Sequence, residues 1–151
     1  MSNHNHALVF GASGISGWAV VKEALGYPTP TTFAKVTALS NRPLSAADAQ
    51  WPDDPRLQIA SGVDLTLTVD DVVNALKEKV KNVETVTHAF LFAYIDPGKD
   101  KKTLKAVNTN LVKTAVEATQ KVSPKIKSII LQTGGKAYGV GTFSYRLTKR
   151  S

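Results

Sequence analysis

The chain has 151 residues, of which 42% are hydrophobic and 21% are charged, a composition typical of one globular domain. It contains no cysteine, which excludes disulfides, thiol nucleophiles, Cys-type zinc sites and iron–sulfur clusters. Its apolar runs are strand-sized, and no secretory signal precedes the first of them. We therefore expect a cytoplasmic protein with no membrane association.

The net charge of +7 does not indicate a nucleic-acid partner. Arg146, Lys149 and Arg150 contribute part of it, and they lie near the end of the chain with no acid among them. The other lysines are mixed with Glu and Asp, whereas a nucleic-acid-binding surface clusters basic residues on one face. We expect no nucleic acid to bind.

Strand patterns alternate with helix patterns along the chain. Apolar runs predict five strands, at residues 7–10, 35–40, 57–60, 85–95 and 127–132. The segment at 85–95 is the most hydrophobic, and we predict a central strand buried on both faces. Helical spacing predicts helices at residues 15–25, 46–50 and 69–80, and a long one whose apolar stripe runs from Leu104 to Val122. Thr68 and Asp71 resemble a capping box at the third of these.

This alternation predicts an α/β Rossmann fold, a doubly wound parallel sheet of about five strands in the order 3-2-1-4-5. We expect one domain at residues 7–139, between a disordered N-terminus at 1–6 and an atypical basic tail at 140–151. His4 and His6 are expected in that frayed terminus. His88 falls in a strand, so the histidines predict no metal site.

A glycine-rich turn, Gly-Ala-Ser-Gly-Ile-Ser-Gly at residues 11–17, lies between the first strand and the first helix. Gly11 permits the tight turn, Gly14 allows a pyrophosphate to approach the backbone, and Gly17 allows the helix to pack closely on the strand. Free N–H groups at the helix start face the anion. We predict nucleotide binding here, with Ser13 and Ile15 as further cofactor contacts. A turn with no ligand is the structural alternative.

The end of the second strand indicates which nucleotide binds. An acid there would bind a ribose 2′-OH, but this chain has Ser40, Asn41 and Arg42. Because Arg42 can form charge-assisted bonds to a phosphate, NADPH is favoured over NADH. As the alternative, Arg42 simply extends into solvent before Pro43. Asp64 and Leu65 follow the third strand, where they either touch the adenine or form a plain turn.

Three further segments carry a family resemblance. Residues 108–118 read Asn-Thr-Asn-Leu-Val-Lys-Thr-Ala-Val-Glu-Ala, residues 131–139 read Leu-Gln-Thr-Gly-Gly-Lys-Ala-Tyr-Gly, and residues 87–92 read Thr-His-Ala-Phe-Leu-Phe. With the glycine turn, they resemble the atypical extended short-chain dehydrogenases/reductases. The sharpest likeness is to the progesterone 5β-reductase/iridoid synthase-like (PRISE-like) group of NADPH-dependent reductases of activated enones, and it covers residues 7–139.

The resemblance implies roles for individual residues. Lys136 would be the catalytic lysine, assisting a tyrosine that polarises the carbonyl of an enone or carbonyl substrate. Asn108 would support the active site, and Thr133 would contact the cofactor. As alternatives, Lys136 is a loop lysine at a strand end and Asn108 an ordinary polar residue on a helix flank.

The end of the chain departs from the family pattern, in which the catalytic tyrosine lies well downstream of the lysine segment. Tyr145 and Lys149 have the Tyr-x-x-x-Lys spacing of the common dehydrogenase dyad, but they follow Tyr138 too closely, and we interpret them as a chance match. We expect a truncated chain that is inactive as an oxidoreductase. The alternative is a non-catalytic nucleotide-binding or regulatory protein. The apolar fifth strand would then be an exposed sheet edge that favours self-association.

Overall fold

The computed structural model describes residues 4–98 and 100–134. Strands and helices alternate in these ranges. In chain order they are β1 (His6–Phe10), α1 (Ile15–Ala24), β2 (Lys35–Ser40), α2 (Ala46–Ala49), β3 (Leu57–Ser61), α3 (Val69–Lys79), a 3-10 turn (Val83–Thr85), β4 (His88–Leu91), α4 (Lys101–Val122) and β5 (Ser128–Leu131).

The strands form one parallel sheet in the order β3-β2-β1-β4-β5. β1 is central, and Leu8 lies between Thr37 of β2 and Ala89 of β4. Strand order reverses beside β1, which creates the switch point where ligands bind in open α/β sheets. The predicted Rossmann fold and its strand order are confirmed.

Alternate residues of β1 build the two layers of the core. Leu8 and Phe10 face α3 and α4, where they join a cluster that includes Leu76 and Ala118. Ala7 and Val9 face the other side of the sheet and pack in a cluster with Val21 of α1. Helices thus cover both faces of the sheet, as the apolar sequence of β1 requires.

Side chains cap the helices that follow β2, β3 and β4. The Oγ of Ser45 accepts from the N–H of Asp48 at α2, and that of Thr68 accepts from the N–H of Asp71 at α3. Asp100 caps α4 in the same way. The predicted capping role of Thr68 is therefore confirmed, and each of these helices has a partner for one of its free N–H groups.

The fourth strand is shorter than predicted. Residues 83–85 form a 3-10 turn, and β4 covers only His88–Leu91. One further ladder bond joins the N–H of Phe92 to the carbonyl of Phe10, at 3.0 Å. The prediction of burial on both faces is also wrong, because His88 and Phe90 are only half-buried. Their cover is the ring of Phe33, which packs edge-on against both.

One expectation for the first residues of the chain is wrong. His6 begins β1 and is 2% exposed, so it does not lie in a frayed terminus. Its Nδ1 lies 2.9 Å from the hydroxyl of Thr85, and its Nε2 lies 2.8 Å from that of Thr37. Ile15, the first residue of α1, is 91% exposed.

Candidate functional site

A cleft of about 580 Å³ opens at the carboxyl ends of β1, β2 and β4. Its walls come from the turns that follow these strands and from the turn after β3. It is lined by Phe10, Gly11, Ser13, Gly14, Leu39, Ser40, Asn41, Arg42, Val63, Asp64, Leu65, Phe92, Ala93, Tyr94, Ile95 and Leu111. This is the crevice in which doubly wound α/β sheets bind their ligands.

Gly11 and Gly17 make the floor of the cleft possible. Gly11 has φ +76°, and a Cβ on it would lie 2.6 Å from the backbone nitrogen of Ala93. A Cβ on Gly17 would lie 2.2 Å from the carbonyl oxygen of Gly11. No side chain fits at either position, so the tight turn and the close approach of α1 to the strand both depend on glycine.

The start of α1 differs from that of the other three α-helices in the described residues. Its N-cap is Gly14 and no side chain caps it, whereas a side chain caps each of α2, α3 and α4. Gly14 itself lines the cleft, and a Cβ on it would meet only the oxygen of Gly11, at 3.5 Å. The backbone here therefore offers free N–H groups and open space to an anion, the arrangement that holds a dinucleotide pyrophosphate.

The end of β2 presents a cation to the cleft. Arg42 is exposed, and no carboxylate pairs with its guanidinium within residues 4–98 and 100–134. Asn41 lies beside it, and its carbonyl accepts from the N–H of Gly62 at 3.2 Å. An unpaired guanidinium at this position fits a ligand phosphate.

Asp64 closes the same side of the cleft and also shapes its own turn. Its Oδ1 accepts from the N–H of Thr66 at 2.9 Å and from the hydroxyl of that threonine at 2.7 Å. Asp64 therefore forms a turn and also lines the cleft, and its contact with an adenine stays a prediction. Leu65 is buried beside it and supplies an apolar surface.

The opposite wall follows β4, and Asn108 of α4 holds it in place. The side-chain oxygen of Asn108 accepts from the N–H of Ile95 at 3.0 Å, and its amide donates to the carbonyl of Ile95 at 2.7 Å. The same amide donates to the carbonyl of Leu104. Asn108 thus fixes the main chain at Ile95 by two hydrogen bonds. Tyr94 and Ile95 both line the cleft. Asn108 does not line the cleft itself.

Most of the predicted cofactor residues lie together. The cleft is lined by Gly11, Ser13, Gly14, Asn41, Arg42, Asp64 and Leu65. Gly17 does not line the cleft but packs against the backbone of Gly11, which does. Ile15 and Thr133 are exposed and do not line it. Lys136, Tyr138, Tyr145 and Lys149 fall outside the described residues.

Sequence reasoning missed the apolar part of the lining. Phe10, Leu39, Val63, Phe92, Ala93 and Leu111 line the cleft, although none was predicted as a site residue. All but Leu111 lie at or just after the end of a strand, and that position was the available signal. Leu111 had no such signal, because its place on the α4 stripe predicts only a core residue.

A second cavity, of about 450 Å³, lies at the amino edge of the sheet and shares no residue with the cleft. Its lining includes Lys35, Lys125 and Lys127. Burial, and to a smaller extent the positive charge of Lys35, lowers the pKa of His6 from 6.5 to about 4. Burial and Lys127 lower the pKa of His88. Both imidazoles are therefore neutral near pH 7.

The strand order, the glycine turn and the uncapped helix start define a Rossmann fold, with the crevice in which this fold binds nucleotides. The chain belongs to the PRISE-like Rossmann-fold domain family, whose model matches residues 7–150. That match extends into the predicted basic tail. In the described part of the chain, no helix is both long and apolar enough for a membrane span.

Similar proteins are known from fungi. The chain is 45% identical over 135 residues to the short chain dehydrogenase sirQ of Leptosphaeria maculans, and 43% identical over 142 residues to the short chain dehydrogenase ausT of Aspergillus calidoustus. These alignments cover 89% and 92% of the chain. The chain spans only 34% of the length of each relative.

Solved structures share the fold. A short-chain dehydrogenase/reductase from Brucella melitensis superposes with a TM-score of 0.66 at 16% identity, over 95% of this chain and 60% of that one. The putative carbonyl reductase Sniffer of Caenorhabditis elegans gives 0.60 at 16% identity, over 89% and 64%. The family implies a nicotinamide dinucleotide as cofactor.

Proposed function

We propose that the cleft binds NADP(H) in preference to NAD(H). The observation that carries this proposal is the uncapped start of α1, which presents free N–H groups to the cleft beside an unpaired Arg42. The pyrophosphate would lie at Gly14, where a side chain would occupy its space. A 2′-phosphate would lie near Arg42, and the adenosine between Arg42 and Asp64.

We propose further that the whole protein reduces an activated enone or carbonyl compound. The bound cofactor supplies a hydride. The family resemblance assigns Lys136 to the stabilisation of negative charge on the substrate oxygen, and a cation does this best where water is excluded. The exposed wall of Tyr94 and Ile95 would then face the substrate.

A second candidate function is nucleotide binding without catalysis. It is favoured by Asn108, whose amide group is bonded to main-chain groups of Ile95 and Leu104 and is not directed into the cleft. We propose that the purified chain binds NADPH but does not oxidise it with a small enone.

A thermal-shift titration with NADPH and NADH tests the binding proposal. At about 100 times its dissociation constant, a ligand that binds only the folded state stabilises it by roughly 2.7 kcal/mol. We expect a larger shift with NADPH than with NADH, and an Arg42→Gln variant that responds equally to both. Equal shifts for the unaltered chain would overturn the NADPH preference. No shift with either would overturn nucleotide binding.

Turnover is a separate measurement. Absorbance of NADPH at a fixed enone concentration should stay constant with the purified chain. Steady oxidation would show that these residues carry the full reaction and would remove the non-catalytic alternative.

A further inference from the structure

Two serine hydroxyls hold the ends of the loop that carries Arg42. The Oγ of Ser40, the last residue of β2, donates to the carbonyl of Arg42 at 2.5 Å. The Oγ of Ser61, the last residue of β3, accepts from the N–H of Leu44 at 3.1 Å. The two hydroxyl oxygens lie 3.4 Å apart. Together they join both ends of the loop to the sheet.

Main-chain bonds complete this attachment. The N–H of Gly62 donates to the carbonyl of Asn41 and that of Val63 to the carbonyl of Ser40, both at 3.2 Å. The loop at residues 41–44 is therefore bonded to β3 on one side and to β2 on the other. Its backbone position depends on Ser61, although Ser61 is absent from the lining of the cleft.

Arg42 itself has nothing comparable to hold it. Its side chain is exposed, and no ion pair fixes it among the described residues. A long side chain that must meet one phosphate loses rotamer entropy on binding, and a loose backbone would add to that cost. The position of the guanidinium relative to a ligand phosphate therefore depends on how firmly the backbone of the loop at residues 41–44 is held.

We propose that Ser61 is a positioning residue for Arg42, and that it sets the preference of the cleft for a ligand bearing a 2′-phosphate. Ser61 acts through the N–H of Leu44 and the hydroxyl of Ser40, and touches no ligand. The inference rests on the proposed binding of NADP(H), because it requires a phosphate near Arg42.

Isothermal titration with adenosine 2′,5′-bisphosphate and with ADP measures this preference on the adenine half alone. We expect Ser61→Ala to weaken binding of the bisphosphate about fivefold, equivalent to about 1 kcal/mol, and to leave ADP binding unchanged. In an Arg42→Gln background the same substitution should have no effect on either ligand, because the two residues act as one unit.

Two further variants control for general loss of structure. Ser45→Ala removes a hydroxyl from the same connection, where it bonds to the carboxylate and the N–H of Asp48 at the start of α2. This variant should have a lower melting temperature. It should leave unchanged the ratio of the affinity for adenosine 2′,5′-bisphosphate to the affinity for ADP. Ser40→Ala removes the other anchor and should lower the ratio as Ser61→Ala does, so the inference stays testable if one variant fails to fold.

The outcomes separate the inference from the function on which it rests. If Arg42→Gln lowers the ratio but Ser61→Ala and Ser40→Ala do not, the positioning role is overturned and NADP(H) binding stands. If Arg42→Gln leaves the ratio unchanged, both are overturned. A Ser45→Ala variant that lowers the ratio as much as Ser61→Ala would also overturn the specific role of Ser61.

Discussion

Gly17 packs against Gly11 so closely that a Cβ on Gly17 would lie 2.2 Å from the carbonyl oxygen of Gly11 and 2.8 Å from its carbon. Both neighbours are backbone atoms, so no side chain can rotate to make room. The contact fixes the distance between α1 and the end of β1. It therefore also fixes where the start of α1 meets the cleft.

Replacement of Gly17 by alanine should destabilise the fold. We expect Gly17→Ala to lower the free energy of unfolding by about 3 kcal/mol, because the backbone of residues 11 and 12 must shift. Urea denaturation measures this. Gly26→Ala is the matched control, since a Cβ there has no neighbour within 4 Å, and it should be neutral or slightly stabilising. Equal effects for the two variants would contradict the packing argument.

Gly14→Ala should separate binding from stability. Gly14 has φ −85° and ψ 165°, an ordinary conformation for alanine, and its Cβ would make one normal contact. We expect an unchanged melting temperature, with NADPH affinity lowered about tenfold because the methyl group occupies the approach of the pyrophosphate. A variant with unaltered affinity would show that the phosphates do not lie at Gly14.

The sequence predicted the parts of this site that depend on backbone geometry. Gly11 and Gly17 were identified because only glycine satisfies a positive φ or so close an approach. His6 was placed wrongly because its burial comes from partners far along the chain, Thr37 and Thr85, which local patterns do not reveal. Ser61 was missed for the same reason, since its contact with Leu44 joins the end of β3 to the loop after β2.

Asn108 should matter for the wall of the cleft more than for α4 itself. Asn108→Ala removes both bonds to Ile95, and we expect it to cost about 1–2 kcal/mol of stability and to speed hydrogen exchange at the Ile95 amide. Asn110→Ala, on the exposed side of the same helix, should change stability by less than about 0.5 kcal/mol. An unchanged hydrogen-exchange rate at the Ile95 amide would contradict the role of Asn108 in holding this wall.

The edge of the sheet should drive self-association. Among the described strands β5 lies at one edge of the sheet, and its Ile130 and Leu131 are 39% and 45% exposed. We expect the weight-average mass in sedimentation equilibrium to rise with concentration, and Ile130→Lys to reduce that rise, because a charge on an edge strand opposes pairing. Ile15→Lys, at an exposed isoleucine away from the edge, is the control. A monomer at all concentrations would contradict the prediction.

His6 should make stability depend on pH. Burial, with a contribution from the charge of Lys35, lowers its pKa from 6.5 to about 4, while Glu84 acts weakly in the opposite direction. Between these values the unfolded chain binds more protons than the folded chain. The free energy of unfolding therefore falls as the pH falls from about 6.5 to about 4, by up to about 3 kcal/mol from this residue.

His6→Gln provides the comparison, because glutamine can keep hydrogen bonds to the two threonines but does not titrate in this range. The difference in stability between the two proteins should shrink by about 3 kcal/mol between pH 7 and pH 4 in urea titrations. His88→Gln should reduce the pH dependence less, since that imidazole is only half-buried. Parallel curves for the unaltered chain and His6→Gln would show that His6 charges as easily in the fold as outside it. The buried bonds to Thr37 and Thr85 would then open at little cost.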